Sequence, residues 1–518
     1  MILINSSPKD ALKLFQPFLP IYVPIGIGYL AAVMKEKNMD VEVIDEQVEF
    51  DVIDKIKSHV SNLPTPYIFG FSVLTAAYKS ALDMSSKIKA LYPDSIIIFG
   101  GPHPTALPEE VLANQCVDIV VKGEGELVLP ELYTKLKRGE DYSTVKNISY
   151  KVGDHIIHND RSPMIVDLDS LPSFPYHLFS NPSYDLGFIV SSRGCPYHCI
   201  FCSNRITTGK KYRYKSPEST VEELENLYNN YKPKMVLFLD DNLLVNRKRI
   251  YKLMELIRAK NLHQKMKFSF QARGDNVDKE LLKDLYDSGF QSVFFGLETT
   301  SEKIMKILKK GETVEQCISA VNMAKKAGFH VSATFIFGLP SETHKIRINA
   351  AKLANELELD MVRFNNATPY PGTELYEIAK KDGGMFILGL YENFNSVSTR
   401  KSSQRLKLRT DASVRFENGI VPELTVYALN DVTKLIVDIA GGTLDGIALT
   451  PFTSAVYPSV SVSIQKIEHV LGVAINEKTV RDIMERFGYE YTLENGTVTV
   501  IPPFERSDLV IPEDLIEE

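Results

Sequence analysis

Residues 191–204 read SSRGCPYHCIFCSN and put Cys195, Cys199 and Cys202 in one short loop, spaced Cys-x3-Cys-x2-Cys. The loop follows LGFIVSSRG (186–194), an apolar run with the β-branched and aromatic make-up of a strand. From Asp185 onward that run is the first of six; the others are KMVLFLDD (234–241), MKFSFQARG (266–274), SVFFGLET (292–299), VSATFIFGLP (331–340) and MVRFNNATPYPG (361–372). Charged amphipathic stretches such as STVEELENLYNNY (219–231) and KELLKDLYDSG (279–289) separate them with helical spacing. Six βα units over 185–384 predict a partial (β/α)6 barrel. Polar residues cluster where these strands end, the place where barrel enzymes carry their chemistry.

Upstream, residues 1–150 follow the same rhythm in a different style. MILINSS (1–7), VEVID (41–45), YIFGFSVLT (67–75), SIIIFGG (95–101) and VDIVVKGEGE (117–126) read as strands, and GYLAAVMKEKN (28–38) as a helix. Strands alternating with helices imply a doubly wound, Rossmann-like parallel sheet, with its ligand crevice beyond the carboxyl ends of the strands. Residues 151–184, with short polar strands and then LDSLPSFPYHLFSNPSYD, read as a connector rich in Pro and Ser. After Gly384 the βα rhythm stops. A seam at 385–399 leads to two α+β stretches, 400–457 and 458–518.

A length of 518 residues implies about three domains. With 24% charged residues and a net charge of −7, no global basic excess points to nucleic acid. No apolar run reaches the ~18–20 residues that span a bilayer, and the start lacks the pattern of a signal peptide, so a cytoplasmic location without a membrane partner is expected. Five cysteines, an odd number, argue against a disulfide framework. Cys116 and Cys317 read as apolar packing residues.

Three thiolates on one loop can hold three irons of a cubane and leave the fourth open to a substrate or cofactor. A structural zinc would want a fourth ligand, and His198 between two cysteines is poorly placed to supply it. Zinc and free thiols stay open as alternatives at this point.

The three-cysteine pattern resembles the radical S-adenosylmethionine (SAM) superfamily. LFLDDN (237–242), QARGDNVD (271–278), FFGLETTS (294–301), FIFGLPSET (335–343) and ATPYPGTELYE (367–377) follow it in order. Together they resemble the members that carry an amino-terminal cobalamin-binding domain, over residues 1–385. The resemblance implies a 4Fe–4S cluster on Cys195, Cys199 and Cys202, whose open iron binds SAM. It makes Asp240, Asp241, Arg273 and Glu298 candidates for contacts to SAM or substrate. For an isolated carboxylate at such a position, a helix cap or solvated turn is the competing reading.

GFSVLT (70–75), FGGPHPTALPEEVL (99–112) and DIVVKGEGELVLPEL (118–132) resemble the cobalamin-binding domain. Gly100, Gly101, Gly123 and Gly125 would let backbone approach a large ligand, and Ser72 and Thr75 would hydrogen-bond it. The Asp-x-His-x-x-Gly motif that supplies a lower axial histidine is missing, and His103 in GGPHPT has the wrong neighbours for that role. The branch includes anaerobic magnesium-protoporphyrin monomethyl ester cyclase and cobalamin-dependent radical methylases. The implied function is therefore methylation, or cyclisation or oxidation, of a small organic molecule. The electron would come from a reductant such as flavodoxin or ferredoxin, at low oxygen.

The remainder resembles something else. RTDASVRFENG (409–419) and RSDLVIPEDLIEE (506–518) are similar to the B3/B4 and B5 domains of the phenylalanyl-tRNA synthetase β subunit, over residues 395–518. That resemblance implies a Mg²⁺ site at Asp508, Asp514, Glu517 and Glu518, an editing-pocket position for Glu417, and tRNA or a synthetase α subunit as partner. A solvated acidic helix start is the competing reading of the four carboxylates. Two unrelated enzyme pieces joined without a Gly/Ser/Pro linker, the second one incomplete, suggest a chimeric gene call or assembly. The competing function classes are an RNA-binding or synthetase-assembly protein, and a radical SAM enzyme without cobalamin.

Overall fold

Strands with apolar side chains on both faces must be covered on both sides, and the first seven residues set up such a strand. In the computed structural model, which describes residues 1–8, 21–49, 51–61, 64–381, 458–503, 506 and 509–517, the chain forms two compact units, 1–387 and 388–518. Strand β1 (Ile2–Asn5) lies between β2 (Glu42–Asp45) and β3 (Ile68–Ser72), followed by β4 (Ile96–Gly100) and β5 (Ile119–Val121), all parallel. Ile2 and Ile4 pack with Ile56, Ala81, Ile88 and Val111 on one face. Met1 and Leu3 pack with Ile27, Ala31, Met34, Leu132 and Leu136 on the other. This is the doubly wound layer. Its strand order reverses between β1 and β3, which opens a crevice at their carboxyl ends.

The sheet does not stop near residue 150. Strands β6 (Ile148–Val152) and β7 (His155–His158) form an antiparallel hairpin that extends it beyond β5. The short polar strands read as connector are therefore sheet edge. Their polarity fits a face-exposed edge position and conceals the pairing.

The second sheet of this unit has β8 (Phe188–Ile189) at one edge. A two-stranded antiparallel ribbon, β9 (Ser192–Arg193) and β10 (Arg213–Tyr214), sits beside it. Then come β11 (Met235–Phe238), β12 (Lys267–Ala272), β13 (Phe290–Glu298), β14 (His330–Phe337) and β15 (Met361–Asn366), all parallel, in the order β8-β11-β12-β13-β14-β15. Each of the six βα units yields its strand. Among the described residues β8 and β15 do not pair, so the barrel is partial.

Helices Pro217–Tyr231, Arg247–Ala259, Lys279–Asp287, Val314–Lys326 and His344–Glu356 cover its outer face. They begin where side-chain caps are available. Ser216 accepts from Ser219 N–H, Asp278 from Leu281 N–H, and Thr313 with Gln316 forms a capping box. Phe238, Phe268, Phe270 and Phe290, all fully buried, make the aromatic centre of the outer layer, with ring centroids of Phe290 and the others 5.1–5.5 Å apart.

In the second unit, β16 (Val460–Ser463), β17 (Glu490–Glu494) and β18 (Thr497–Ile501) form an antiparallel sheet in the order β16-β18-β17. The β17–β18 turn is Asn495-Gly496, both at positive φ (51° and 69°), the preference of a tight hairpin. Val460, Val462, Val498 and Val500 meet Ile467, Val480, Met484 and Leu515 from helices Ile464–Leu471, Glu477–Phe487 and Pro512–Glu517. Residues 382–457, which include the seam and Glu417, lie outside the described residues.

Phe290→Ala should leave a cavity in the aromatic centre and cost about 3–5 kcal/mol. Urea unfolding followed by far-UV circular dichroism checks this, since the chain has no tryptophan to report. An unchanged midpoint would remove Phe290 from the core.

Candidate active site

The cysteine loop leaves the barrel at the carboxyl end of the first strand, and its path is dictated by backbone. Gly194 sits at φ +81°, where a Cβ would stand 2.4 Å from Lys211 O, so only glycine makes this turn. Midway, Ile200 is buried among Ile304, Leu308, Ile336, Leu339 and Leu375. Its N–H donates to Leu308 O at 3.0 Å and its carbonyl accepts from Leu375 N–H at 3.0 Å. Cys202 N–H donates to Cys199 O at 3.3 Å.

The three cysteines are free and half-buried. Burial raises all three thiols, Cys199 to about 11, while Lys310 and Arg273 pull Cys199 the other way. The described residues contain no group of three or more His, Cys, Asp or Glu arranged to hold a single metal ion.

Two adjacent carboxylates after β11 hold the loop. Asp240, 2% exposed, accepts from Ser191 N–H (2.7 Å), Ser191 Oγ (2.6 Å) and Ser192 Oγ (2.6 Å). Both its oxygens face the loop's approach, so its geometry is that of a positioning group. Asp241 accepts from Gly194 N–H (2.9 Å), Asn204 Nδ2 (2.6 Å) and Thr208 Oγ1 (3.1 Å). One carboxylate thus ties the residue before Cys195 to a residue just past Cys202.

The next two strand ends supply charge. Arg273, after β12, is held by Asp275 through two bonds (2.9 and 2.8 Å) and lies 3.5 Å over the Tyr197 ring inside the cysteine loop. Tyr197 OH accepts from Asn276 Nδ2 (2.9 Å), and Asn242 Nδ2 donates to Asn276 Oδ1 (2.9 Å). Glu298, ending β13 at φ +61°, pairs with Lys310 (2.7 Å), which also meets Glu312 (3.1 Å). Burial alone would lower the Lys310 pKa, but the two carboxylates more than offset this and hold it raised. A Cβ on Gly296 would meet Glu298 Oε1 at 2.3 Å and Lys310 Nζ at 2.7 Å, so this ion pair lies directly over bare backbone. Glu342 accepts from Gly338 N–H (2.6 Å) and closes the turn after β14.

Beside the loop is a cavity of about 610 Å³. Gly100, Gly101, Gly123, Gly125 and Ser72 line it from the first sheet, with Asn5 and Leu74. Arg193, Asn204, Thr207, Thr208 and Asp241 close it from the barrel side. Thr75 lies outside this lining, exposed on the turn Thr75–Ala77. The structure thus brings Asp241 and the glycines to one cavity, and Arg273 and Glu298 to the far side of the cysteine loop.

Sequence reasoning missed the lock between the two layers. Arg193 pairs with Glu124 (3.2 Å) and Glu126 (2.7 Å), and Arg213 pairs with Glu124 (2.8 Å), with Arg213 and Glu126 buried and Arg193 and Glu124 half-buried. The signal was present in GEGE, where the glycines drew the reading and the glutamates were passed over. Lys310 and Glu312 were missed because their partner Glu298 lies on the far side of the short helix Glu302–Ile307.

Four family profiles match the chain. The radical SAM superfamily profile covers residues 189–354 and the B12 binding domain profile 16–133, while the B3/4 domain matches 387–441 and the tRNA synthetase B5 domain 460–518. An uncharacterised methyltransferase of Pyrococcus horikoshii is 34% identical over 365 residues, 69% of this chain and 78% of that protein. The chain belongs to the radical SAM superfamily, in its B12-binding group. An anaerobic magnesium-protoporphyrin IX monomethyl ester cyclase of Cereibacter sphaeroides is 27% identical over 398 residues, 74% of this radical SAM chain and 65% of that relative's length. Among solved structures, the radical SAM methyltransferase TsrM of Kitasatospora setae, with cobalamin and a 4Fe–4S cluster bound, shares the fold. Its TM-score is 0.63 and its identity 18%, covering 74% of this chain and 75% of that one.

Within this radical SAM enzyme, His103 is turned away from the cavity. It is 3% exposed, packs at a tilt against Tyr78 with centroids 4.1 Å apart, and has Glu110 Oε1 3.8 Å from its Nε2. In the synthetase-like unit, Asp514 accepts from Val510 and Ile511 N–H, both at 2.8 Å, and Glu517 is exposed. Asp508 and Glu518 lie outside the described residues. Asp514 thus accepts from two backbone groups at the start of its helix. No helix is long and apolar enough to cross a membrane among the described residues.

Burial pushes the His103 imidazole down to about 4, against ~6.5 in an unfolded chain. Between these values the unfolded chain binds a proton that the folded chain refuses. Its contribution to stability is therefore complete above pH 6.5 and is lost as pH falls toward 4, by about 3 kcal/mol. His103→Phe should be less sensitive than wild type across that window in thermal melts. Parallel pH curves for the two proteins would show that His103 is solvated.

Proposed function

We propose that Cys195, Cys199 and Cys202 each bind one iron of a 4Fe–4S cluster, leaving the fourth iron to SAM, and that the adjoining cavity holds cobalamin. The observation that carries this reading is a shared wall. Asp241 and Asn204 bond to each other across the ends of the cysteine loop and both line the cavity. A corrin there would lie beside the cluster loop. The donor set fits, with three half-buried thiols on one loop and the cations Arg273 and Lys310 near Cys199. When bound, the two cofactors supply a 5′-deoxyadenosyl radical from SAM and a transferable methyl group.

The chain's own residues do the positioning. Asp240 and Asp241 hold the loop at its two ends, and Arg273 fixes its middle through Tyr197. Glu298 and Arg273, at neighbouring strand ends and oriented by their pairs with Lys310 and Asp275, are the side chains assigned here to SAM's polar groups. Methyl transfer to a small organic molecule is favoured, because the 34% identical relative is named a methyltransferase. A flavodoxin or ferredoxin would deliver the electron, and low oxygen would protect the open iron.

The test is anaerobic reconstitution with iron and sulfide, followed by SAM and a reductant. Wild type should form 5′-deoxyadenosine and Cys199→Ala should form none; equal yields would sink the cluster assignment. Growth with cobalamin should give a protein with a corrin absorption band, and a colourless, corrin-free product would remove that cofactor. Asp241→Ala frees both ends of the loop and should weaken iron retention about tenfold. Iron analysis after gel filtration measures that loss, and full retention would deny Asp241 its positioning role.

A further inference from the structure

Among the described residues, the barrel's inner wall carries an arginine without a carboxylate partner. Along β13 and β14, Val293, Phe295, Leu297, Val331, Ala333 and Phe335 pack into the helix-side core. Strand side chains alternate, so Phe294, Gly296, Ser332 and Thr334 face the lumen. The register carries this to the edge strand. Ser332 lies opposite Met361, Thr334 opposite Arg363 and Ile336 opposite Asn365. The outer side of β15 is settled by Phe364, whose ring stacks on Phe335 and Phe337 at 5.7 and 5.0 Å. Arg363 therefore points inward, and its guanidinium lies 5.5 Å over the Phe294 ring.

The charged side chains at the catalytic ends of β11, β12 and β13 are all engaged. Asp240 is bonded to two serines, Arg273 to Asp275 and Glu298 to Lys310. Arg363 is exposed, and its one partner among the described residues is the Phe294 ring. Its strand neighbours in the same row are Thr334 and Gly296, and Thr334 Oγ1 lies 3.4 Å from Glu298 Oε2. A cation with no carboxylate partner is free to draw an anion. A guanidinium whose partner is a ring face keeps its N–H donors free for a two-pronged bond to an oxyanion.

We infer that Arg363 anchors an oxyanion of the substrate, a carboxylate or phosphate joined to a flat or apolar body that covers Phe294 and Met361. This rests on the reading above that the lumen is the substrate's place. It makes the substrate an organic acid or phosphate ester whose reacting carbon extends from the anchor toward the Glu298–Lys310 pair and the cysteine loop.

Saturation-transfer NMR titrations of the full chain, as purified, test this with three probes: benzoate, phenyl phosphate and neutral benzyl alcohol. Wild type should bind at least one of the two anions more tightly than the alcohol. Arg363→Met should weaken the preferred anion about tenfold and leave the alcohol unchanged. Arg363→Lys, which keeps the charge and loses the fork, should fall between. Stronger binding of benzoate marks a carboxylate anchor, and of phenyl phosphate a phosphate anchor. Equal anion binding by wild type and Arg363→Met overturns the inference, as does a wild type with no preference for either anion. No cluster or SAM is needed for this readout. A protein that binds the anions through Arg363 but makes no 5′-deoxyadenosine would overturn the radical reading and leave the anchor standing.

Discussion

A single carboxylate, Asp241, holds the arrangement together. Its oxygens take the N–H of Gly194 and the amide of Asn204, closing a loop whose interior carries three cysteines. The same side chain is part of the cavity wall. Three thiols on one loop can be brought to a common ligand only if the loop's ends are pinned, because each free backbone residue would otherwise cost ~1–2 kcal/mol of ordering. Asp240 adds a second pin through Ser191 and Ser192, and Ile200 a third through backbone bonds on both sides. The loop is thus held by bonds from its own chain at both ends and at its middle.

Buried charge is used around this site with consistent logic. Glu298, Lys310 and Glu312 form one desolvated group, and Arg193, Arg213, Glu124 and Glu126 another. Such groups are weak stabilisers in net terms, because desolvation offsets attraction, but losing one partner strands a charge. Their value here is geometric. The first fixes a cation near Cys199, and the second locks the doubly wound sheet to the start of the barrel where the cavity opens. Arg363 is the exception on the inner wall, and that contrast is what marks it.

Much of this was legible along the chain. The six barrel strands fall where apolar β-branched runs predict them, since covered parallel strands write near-continuous hydrophobic stretches, while the edge strand β15 is exposed and carries polar residues. The hairpin β6–β7 was hidden because polar edge strands lack that signature. Asp240 and Asp241 were visible as strand-end carboxylates, yet adjacent residues point to opposite sides. Their separate contacts, to the two serines and to the loop ends, follow from that alternation and from where the loop returns.

The sequence by itself determined the chemistry available: three cysteines at fixed spacing, a βα rhythm, glycines at strand ends, and a change of character after Gly384. Those are local properties, set by residue type and by neighbours a few positions away. Only the tertiary structure decided the partnerships. Glu298 with Lys310, Arg193 with Glu124, and Arg363 with Phe294 join side chains 12, 69 and 69 positions apart. Which charges cancel and which one remains is a matter of three-dimensional register, since ion pairing depends on distance in space and the chain specifies that only after its strands have aligned.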